Sequence, residues 1–403
     1  QGLIAGKTGA LRFLPVPLFF LMALLSKENA VVLVPVLLLL ELWWFEFAGS
    51  GGRIIKWLRR LSLSLISGGV LLLSAILIFA WDDLAARFNK RPFTLEERLL
   101  TQSRIVWDYI GQWFNPQVAR MGLYHDDIEL SRGFFAPAST AWSIAGWLLL
   151  AFLCGLLLRC RDGRLIVFGI VWFLVGHSVE STVLPLELYF EHRNYFPSLG
   201  LMLALGGLFA MVVRRWPEPK SPLLACLGLC AVVLSFLSSS QAQIWSNRSI
   251  LNLAHLNGHP NSPRANIDIA TELAQLGELD AAYRYSRVAY ENSPQERSGD
   301  YEVRNLALSC IAGQAPPAGL IEHLGEKDPN RPISSVTTLL TLVRFLQEDA
   351  CPQIDRTLFA DRLAELYLVD DFKRKASPKI YSALAVLENA LQRYDNAYAY
   401  AEQ

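Results

Sequence analysis

The sequence predicts an all-α protein in which a polytopic membrane domain of about seven helices precedes a polar helical domain. The chain is 52% hydrophobic and only 18% charged, whereas a soluble domain usually carries about 25% charged residues. The apolar residues are concentrated in runs near the ~20 residues that a membrane-spanning helix needs. After the last run the composition becomes polar but keeps a helical period. The net charge is zero, so nothing in it suggests a nucleic-acid partner.

Seven apolar segments build the predicted membrane domain, which we assign to residues 1–240. In chain order they are 9–25, 30–47, 61–80, 139–158, 164–180, 197–213 and 222–238. The first two are short, and a re-entrant hairpin remains an alternative to two spans. The chain opens at Gln1 without a signal-peptide pattern, and we expect a further N-terminal part to precede it.

Short basic loops predict the orientation of the segments. Residues 51–60, 159–164 and 214–220 are rich in Arg and Lys, and all three fall on one side if the segments alternate. The positive-inside rule assigns that side to the cytoplasm. The opposite, extracytoplasmic side then holds the loop 82–138 and the polar domain 241–403.

The external loop 82–138 contains a predicted helix. Thr94 and Glu97 form a capping box at its start, and Asn115-Pro116 ends it. Its apolar face carries Leu99, Val106, Ile110 and Trp113, with Arg98, Arg104 and Asp108 largely off that face. Two interpretations stay open: the helix lies in the membrane interface with Trp107 and Trp113 at headgroup depth, or it packs on the membrane domain as a structural element.

The polar domain contains a predicted helix pair with small residues at regular positions. Ala270, Gly277, Ala282, Ala289 and Pro294 follow the spacing of the ~34-residue tetratricopeptide repeat. Gly277 would form the inter-helix turn, and the alanines would let the helices approach. Ser286 departs from the pattern, which usually has an aromatic residue there. An ordinary amphipathic pair is the alternative, and residues 381–403 resemble a second, partial repeat.

The six cysteines divide into two groups. Four lie in or beside apolar runs and are expected to be packing residues: Cys154, Cys160, Cys226 and Cys230. Cys310 and Cys351 lie in the polar domain and could pair in an oxidising compartment. Two unpaired buried thiols are the alternative.

Four polar clusters fall on the predicted outer side. They are Lys27-Glu28-Asn29; His125, Asp126, Asp127 and Glu129; His177 and Glu180; and Glu187, Tyr189, Glu191, His192, Arg193 and Tyr195. Ionisable groups at a bilayer boundary indicate function, with interfacial anchoring as the alternative. His125, Asp126 and Asp127 could contact an acceptor or a divalent metal ion, although adjacent acids in a loop are often only solvated.

A cationic cluster beside aromatic residues at the bilayer boundary suits a lipid phosphate. Arginine binds phosphate oxygens with two prongs, and lysine acts as a point charge. The lipid tail would run between apolar helices. A lipid-linked donor and an ordinary phospholipid share this chemistry.

Three segments carry a resemblance to a known family: "LLSKENAVVLVPVLLLLEL", "RLLTQSRIVWDYIGQWFNPQVARMGLYHDD" and "EHRNYFPSLGL". They resemble segments of polytopic GT-C-type glycosyltransferases fused to tetratricopeptide repeats. These include bacterial membrane proteins with such repeats and the eukaryotic transmembrane-and-tetratricopeptide O-mannosyltransferases. The resemblance covers residues 10–295. The Ser-Lys-Glu junction and the Arg-x-Tyr-x-Pro-Ser-x-Gly run are its most specific parts.

This resemblance implies an enzyme that moves a sugar from a polyprenyl-phosphate donor to a protein or glycan acceptor on the extracytoplasmic face. It implies a bacterial inner-membrane protein with a periplasmic C-terminal domain and a protein partner at the repeats. The residues that would bind the donor phosphate are Lys27, His192, Arg193 and Tyr195, with Glu28 and Glu191 in support. Such enzymes usually carry an essential acid in the first external loop, so we expect the catalytic base to precede this chain.

Two other functions remain open. An O-antigen ligase or polymerase is also polytopic, but it needs more spans and places its basic and histidine residues in one long loop. The clusters here are spread over several loops, which favours the glycosyltransferase. A non-enzymatic membrane scaffold that displays repeats would tolerate replacement of the boundary charges.

Overall fold

The structure is a computed structural model that describes residues 15–48, 54–88, 91–160, 163–215, 220–293, 298–326, 333, 336–368 and 378–403. Within these ranges the regular elements are helices, and pairing of extended backbone is limited to two isolated bridges. The all-α prediction is therefore confirmed. The chain divides into two units, residues 1–117 with 129–235 and residues 118–128 with 236–403.

The first unit contains the apolar helices. They are α1 (Pro15–Ser26), α2 (Leu33–Leu40), α3 (Lys56–Phe79), α4 (Trp81–Ala86), α5 (Leu95–Phe114), α6 (Ala138–Leu157), α7 (Gly163–Gly176), α8 (Tyr195–Arg215) and the first part of α9 (Lys220–Ser246). Short 3₁₀ turns at Glu28–Val32 and Glu191–Asn194 precede α2 and α8, and a π turn follows α2 at Glu41–Phe45.

Five segments of the described chain are long and apolar enough to span a membrane. They are Glu28–Phe45, Lys56–Phe79, Ala138–Leu157, Glu191–Arg215 and Leu224–Ser246. The other two predicted segments correspond to the shorter helices α1 and α7, of 12 and 14 residues. Residues 9–14 of the first predicted segment, and parts of all three basic loops, lie outside the described residues. These helices are consistent with an integral membrane protein.

Helices α7 and α8 pack closely because glycines meet at their interface. A Cβ atom added to Gly169 would lie 2.3 Å from the Gly200 carbonyl oxygen, and one added to Gly200 would lie 2.4 Å from the Gly169 carbonyl oxygen. At the end of α7, a Cβ on Gly176 would clash with Pro197. Small residues let helix backbones approach in this way in membranes. The pair fixes both ends of the connecting segment 177–194.

Helix α5 begins as the sequence predicts but buries a different face. The capping box is formed: the Glu97 amide donates to Thr94 Oγ1 at 3.2 Å and the Thr94 amide to Glu97 Oε2 at 2.8 Å. Its most buried side chains include Arg98, Gln102 and Tyr109. The prediction that Arg98 lies off the packed face was therefore wrong. The helix packs on α6 and on the segment 177–194, as the second interpretation proposed.

The second unit consists of a run of helices that pack in sequence order. They are the end of α9, then α10 (Arg248–Gly258), α11 (Pro263–Gln275), α12 (Leu279–Glu291), α13 (Ser298–Ala312), α14 (Val336–Gln347), α15 (Arg356–Leu368), α16 (Pro378–Ala390) and α17 (Tyr394–Ala401). The core is formed mainly by α13 to α16, with Leu306, Leu342 and Leu384 fully buried. Cys310 and Cys351 form a disulfide whose Cα atoms are 5.0 Å apart.

The predicted helix pair is present as α11 and α12. Gly277 has a φ of +83° at the turn, a conformation that favours glycine. Ala282 and Ala289 are fully buried. Ser286, the departure from the repeat pattern, is also buried and accepts a hydrogen bond from Asn305 Nδ2 at 3.3 Å. Residue 294 lies outside the described residues.

Candidate functional site

Two distant parts of the first unit meet at the segment that joins α7 to α8. The Asn29 amide nitrogen donates to Glu180 Oε1 at 2.6 Å across 151 residues of sequence. Three of the four sequence-predicted clusters are thereby brought together: Lys27-Glu28-Asn29, His177 with Glu180, and residues 187–195. Their meeting agrees with alternating spans, which place these loops at the same end of the helices.

A buried ion pair lies at the centre of this region. Arg193 Nε is 2.9 Å from Glu180 Oε2, and both side chains are only 9% exposed. The Arg193 guanidinium also donates to the Glu187 carbonyl and lies 5.0 Å from the centroid of the Phe190 ring. Sequence analysis had given Glu191 the role of holding Arg193. The carboxylate that fills this role in the structure is Glu180.

Arg98 holds the backbone on which this ion pair is built. Its guanidinium donates to the carbonyls of Glu180 at 2.7 Å, Thr182 at 2.8 Å and Leu186 at 2.5 Å. Burial, together with the charges of Arg193 and Arg91, lowers the pKa of Arg98 to about 10. The side chain therefore stays charged at neutral pH, and its cost of burial is offset by these carbonyl oxygens.

Tyrosines of α5 and of the connecting segment extend the buried network. The Tyr109 hydroxyl donates to the Phe190 carbonyl at 3.0 Å, and the Tyr189 hydroxyl donates to Asp108 Oδ2 at 2.8 Å. Burial raises the pKa of both phenols well above the usual range. The ring of Tyr109 stacks on His177 at 5.1 Å. This network fixes the backbone of Phe190, and His192 and Arg193 follow it closely in the sequence.

The exposed surface of the site carries the remaining predicted donor-phosphate residues. Lys27 and His192 are exposed, and Tyr195 is 86% exposed. The His192 ring stacks on Phe190 at 5.2 Å. The surface thus presents an ammonium group and an imidazole ring close to the buried Arg193, at the N-terminal end of α8.

Three residues of the fourth cluster, His125, Asp126 and Asp127, belong to the second unit, whereas Glu129 belongs to the first. Asp126 accepts hydrogen bonds from the Ser262 hydroxyl and from Arg264 Nε, the latter at 3.0 Å. Asp127 pairs with His259 Nδ1 at 2.8 Å. Among the described residues, no group of three or more His, Cys, Asp or Glu side chains is arranged to hold a metal ion. The geometry of Asp126 and Asp127 is that of carboxylates that attach residues 118–128 to α10 and α11.

Glu180, Arg98 and Asn29 are the site residues that sequence reasoning did not assign. Glu180 and Asn29 each lie in a polar cluster that the sequence singled out. Their positions next to the ends of apolar segments were the sequence feature that could have assigned them to the site. Arg98 gave no such signal, because its partners are carbonyl oxygens 82 to 89 residues further along the chain.

Comparisons with known proteins add no assignment. No protein-family model, no curated protein and no solved structure matches this chain.

Proposed function

We propose that this chain belongs to a membrane glycosyltransferase that transfers a sugar from a polyprenyl-phosphate donor to a protein or glycan on the extracytoplasmic face. The observation that carries the proposal is that the turn Lys27-Glu28-Asn29 reaches Glu180, the partner of Arg193, at the N-terminal end of an apolar helix. His192 is the residue next to Arg193 and is exposed. A helix N-terminus adds partial positive charge, which favours a phosphate.

Each of the three side chains has a distinct part in this proposal. Lys27 and His192 are exposed and contact the phosphate oxygens directly. Arg193 is paired with the buried Glu180, which compensates its charge. Its part is to fix the backbone that carries His192, through the hydrogen bond to the Glu187 carbonyl. The Lys27 ammonium and an N–H of the His192 ring stabilise the negative charge that develops on the lipid phosphate as the sugar leaves. Glu28 and Glu191 flank these side chains, Tyr195 offers a hydroxyl, and the catalytic base lies outside this set.

The second unit supports the extracytoplasmic part of the proposal. The Cys310–Cys351 disulfide suits an oxidising compartment such as the periplasm. The helix pairs α11–α12 and α16–α17 suit a tetratricopeptide-like solenoid, which would bind a protein partner. No metal ion has a part in the proposal.

The test is sugar transfer by the full-length protein in membranes, measured as glycosylated acceptor per inserted enzyme. Lys27→Ala and His192→Ala should each reduce transfer strongly, because both groups contact the leaving phosphate. Lys56→Ala is the matched control, since Lys56 is an exposed lysine at the start of another apolar helix. Full transfer by both site variants would remove the donor-site assignment and favour the scaffold.

A further inference from the structure

Two adjacent phenylalanines project from a tight turn that immediately precedes α6. Phe134 is 61% exposed and Phe135 is 81% exposed. The turn is closed by a hydrogen bond from the Arg132 amide to the Ala136 carbonyl at 2.8 Å and by a bridge between Gly133 and Ala136. Both rings are thereby held outward.

The base of this turn is fixed to two helices. The Ser131 amide donates to Thr101 Oγ1 of α5 at 2.9 Å, and the Thr140 hydroxyl of α6 donates to Ser131 Oγ at 2.8 Å. Ser131 and Thr140 are fully buried. Moving the base of the turn would break these buried hydrogen bonds, which are costly to leave unmade.

We propose that the turn 132–136 is a membrane anchor that inserts Phe134 and Phe135 into the outer leaflet beside α6. Each ring left in water forfeits the free energy gained by burying a large apolar side chain. Lipid is the apolar medium nearest to the rings, since α6 begins its candidate span at Ala138.

Neighbouring side chains have the chemistry of the lipid headgroup region. Trp142, one turn into α6, is 77% exposed, and tryptophan concentrates at membrane interfaces. Arg132 is an exposed cation at the base of the turn and suits lipid phosphates. An open groove of about 450 Å³ lies alongside, lined by Arg104, Trp107, Ser139, Trp142 and Ser143. This mixture of indole, hydroxyl and guanidinium groups fits the boundary between water and acyl chains.

The test places the photoreactive residue p-benzoylphenylalanine at Phe135 in the full chain. The protein is reconstituted in vesicles of phosphatidylethanolamine and phosphatidylglycerol, irradiated, and examined for lipid adducts by mass spectrometry. Phe152, an exposed residue in the middle of α6, is the lipid-facing control, and Tyr398, an exposed aromatic of α17, is the control in the polar unit. The same probe at Phe134 gives an independent second measurement.

The lipid-adduct yield at Phe135 and Phe134 should approach that at Phe152 and exceed that at Tyr398 several-fold. A yield no higher than that at Tyr398 would overturn the anchor. Adducts with a polypeptide in place of lipid would also overturn it, because they would assign the surface to a protein partner.

Discussion

Arg193 shows how a residue singled out in the sequence can have a different environment from the one expected. The sequence places it in a polar cluster at a predicted bilayer boundary, as a residue that would bind the donor phosphate. In the structure its side chain is 9% exposed and paired with an equally buried Glu180. Removing one partner of a buried ion pair leaves an uncompensated charge, which is far more costly than losing a surface pair.

Arg193→Ala should therefore destabilise the protein by about 3–5 kcal/mol, the usual cost of leaving a buried charge unpaired. Adding Glu180→Gln should recover part of this loss, because it removes the unpaired carboxylate. The measurement is the apparent unfolding temperature of the purified protein in detergent.

The matched control for that experiment is Arg91→Ala. Arg91 pairs with Glu187 at 3.4 Å, but the two side chains are 26% and 34% exposed, so the cost should be about 0–1 kcal/mol. Equal unfolding temperatures for the Arg193 and Arg91 variants would show that the Glu180–Arg193 pair is not buried as described.

At the scale of elements, local signals predicted helices well and their buried faces less well. The Thr94–Glu97 capping box and the Gly277 turn both depend on residues a few positions apart, and both are present. The buried face of α5 depends on carbonyl groups of the segment 177–194, more than 80 residues away in sequence. The helical period treats Arg98 as a polar residue and therefore predicts that its side chain is exposed. In the structure the side chain is buried, because its long-range hydrogen bonds satisfy the guanidinium.

The glycine contact between α7 and α8 allows a sharp test of element packing. Gly200→Ala should destabilise the pair, since its Cβ would lie 2.4 Å from the Gly169 carbonyl oxygen and overpacking typically costs about 1–3 kcal/mol. Gly206 lies on the same helix, and a Cβ there would meet nothing within 4 Å. Gly206→Ala should therefore leave stability unchanged or slightly increase it.

Thermal unfolding in detergent compares the two glycine variants directly. Similar losses in both would mean that α7 and α8 do not approach at Gly200. The expected consequence for the site is loss of donor binding in Gly200→Ala alone, because the α7–α8 pair fixes both ends of the segment that carries Arg193.

At the scale of the whole molecule, hydropathy predicted the order of the apolar helices, and loop charge predicted their orientation. Neither predicted how the helices pack against one another. All seven predicted segments correspond to helices, although α7 is only 14 residues long. Its burial against α2 and α8 explains why it is apolar along its length. No sequence period could reveal that the turn at Asn29 and the segment 177–194 meet at Glu180, since that contact depends on how the helices pack.

The predicted orientation can be tested with compartment-sensitive reporter fusions. A fusion after Arg60 retains the basic residues at the start of α3 and should report the cytoplasm. A fusion after Asn247, beyond α9, should report the extracytoplasmic compartment. Identical signals from the two positions would exclude an odd number of spans between them and with it the extracytoplasmic site.

The central claim is that Lys27 and His192 bind a polyprenyl phosphate, and its most direct test is binding of that lipid alone. Native mass spectrometry of the purified full chain, titrated with polyprenyl phosphate in detergent, gives the affinity without knowledge of the sugar or acceptor. A charge-assisted contact contributes about 1.5–3 kcal/mol, so Lys27→Ala combined with His192→Ala should weaken binding by about tenfold or more. Lys56→Ala should bind as the wild type does. Equal affinity in all three proteins would contradict the account.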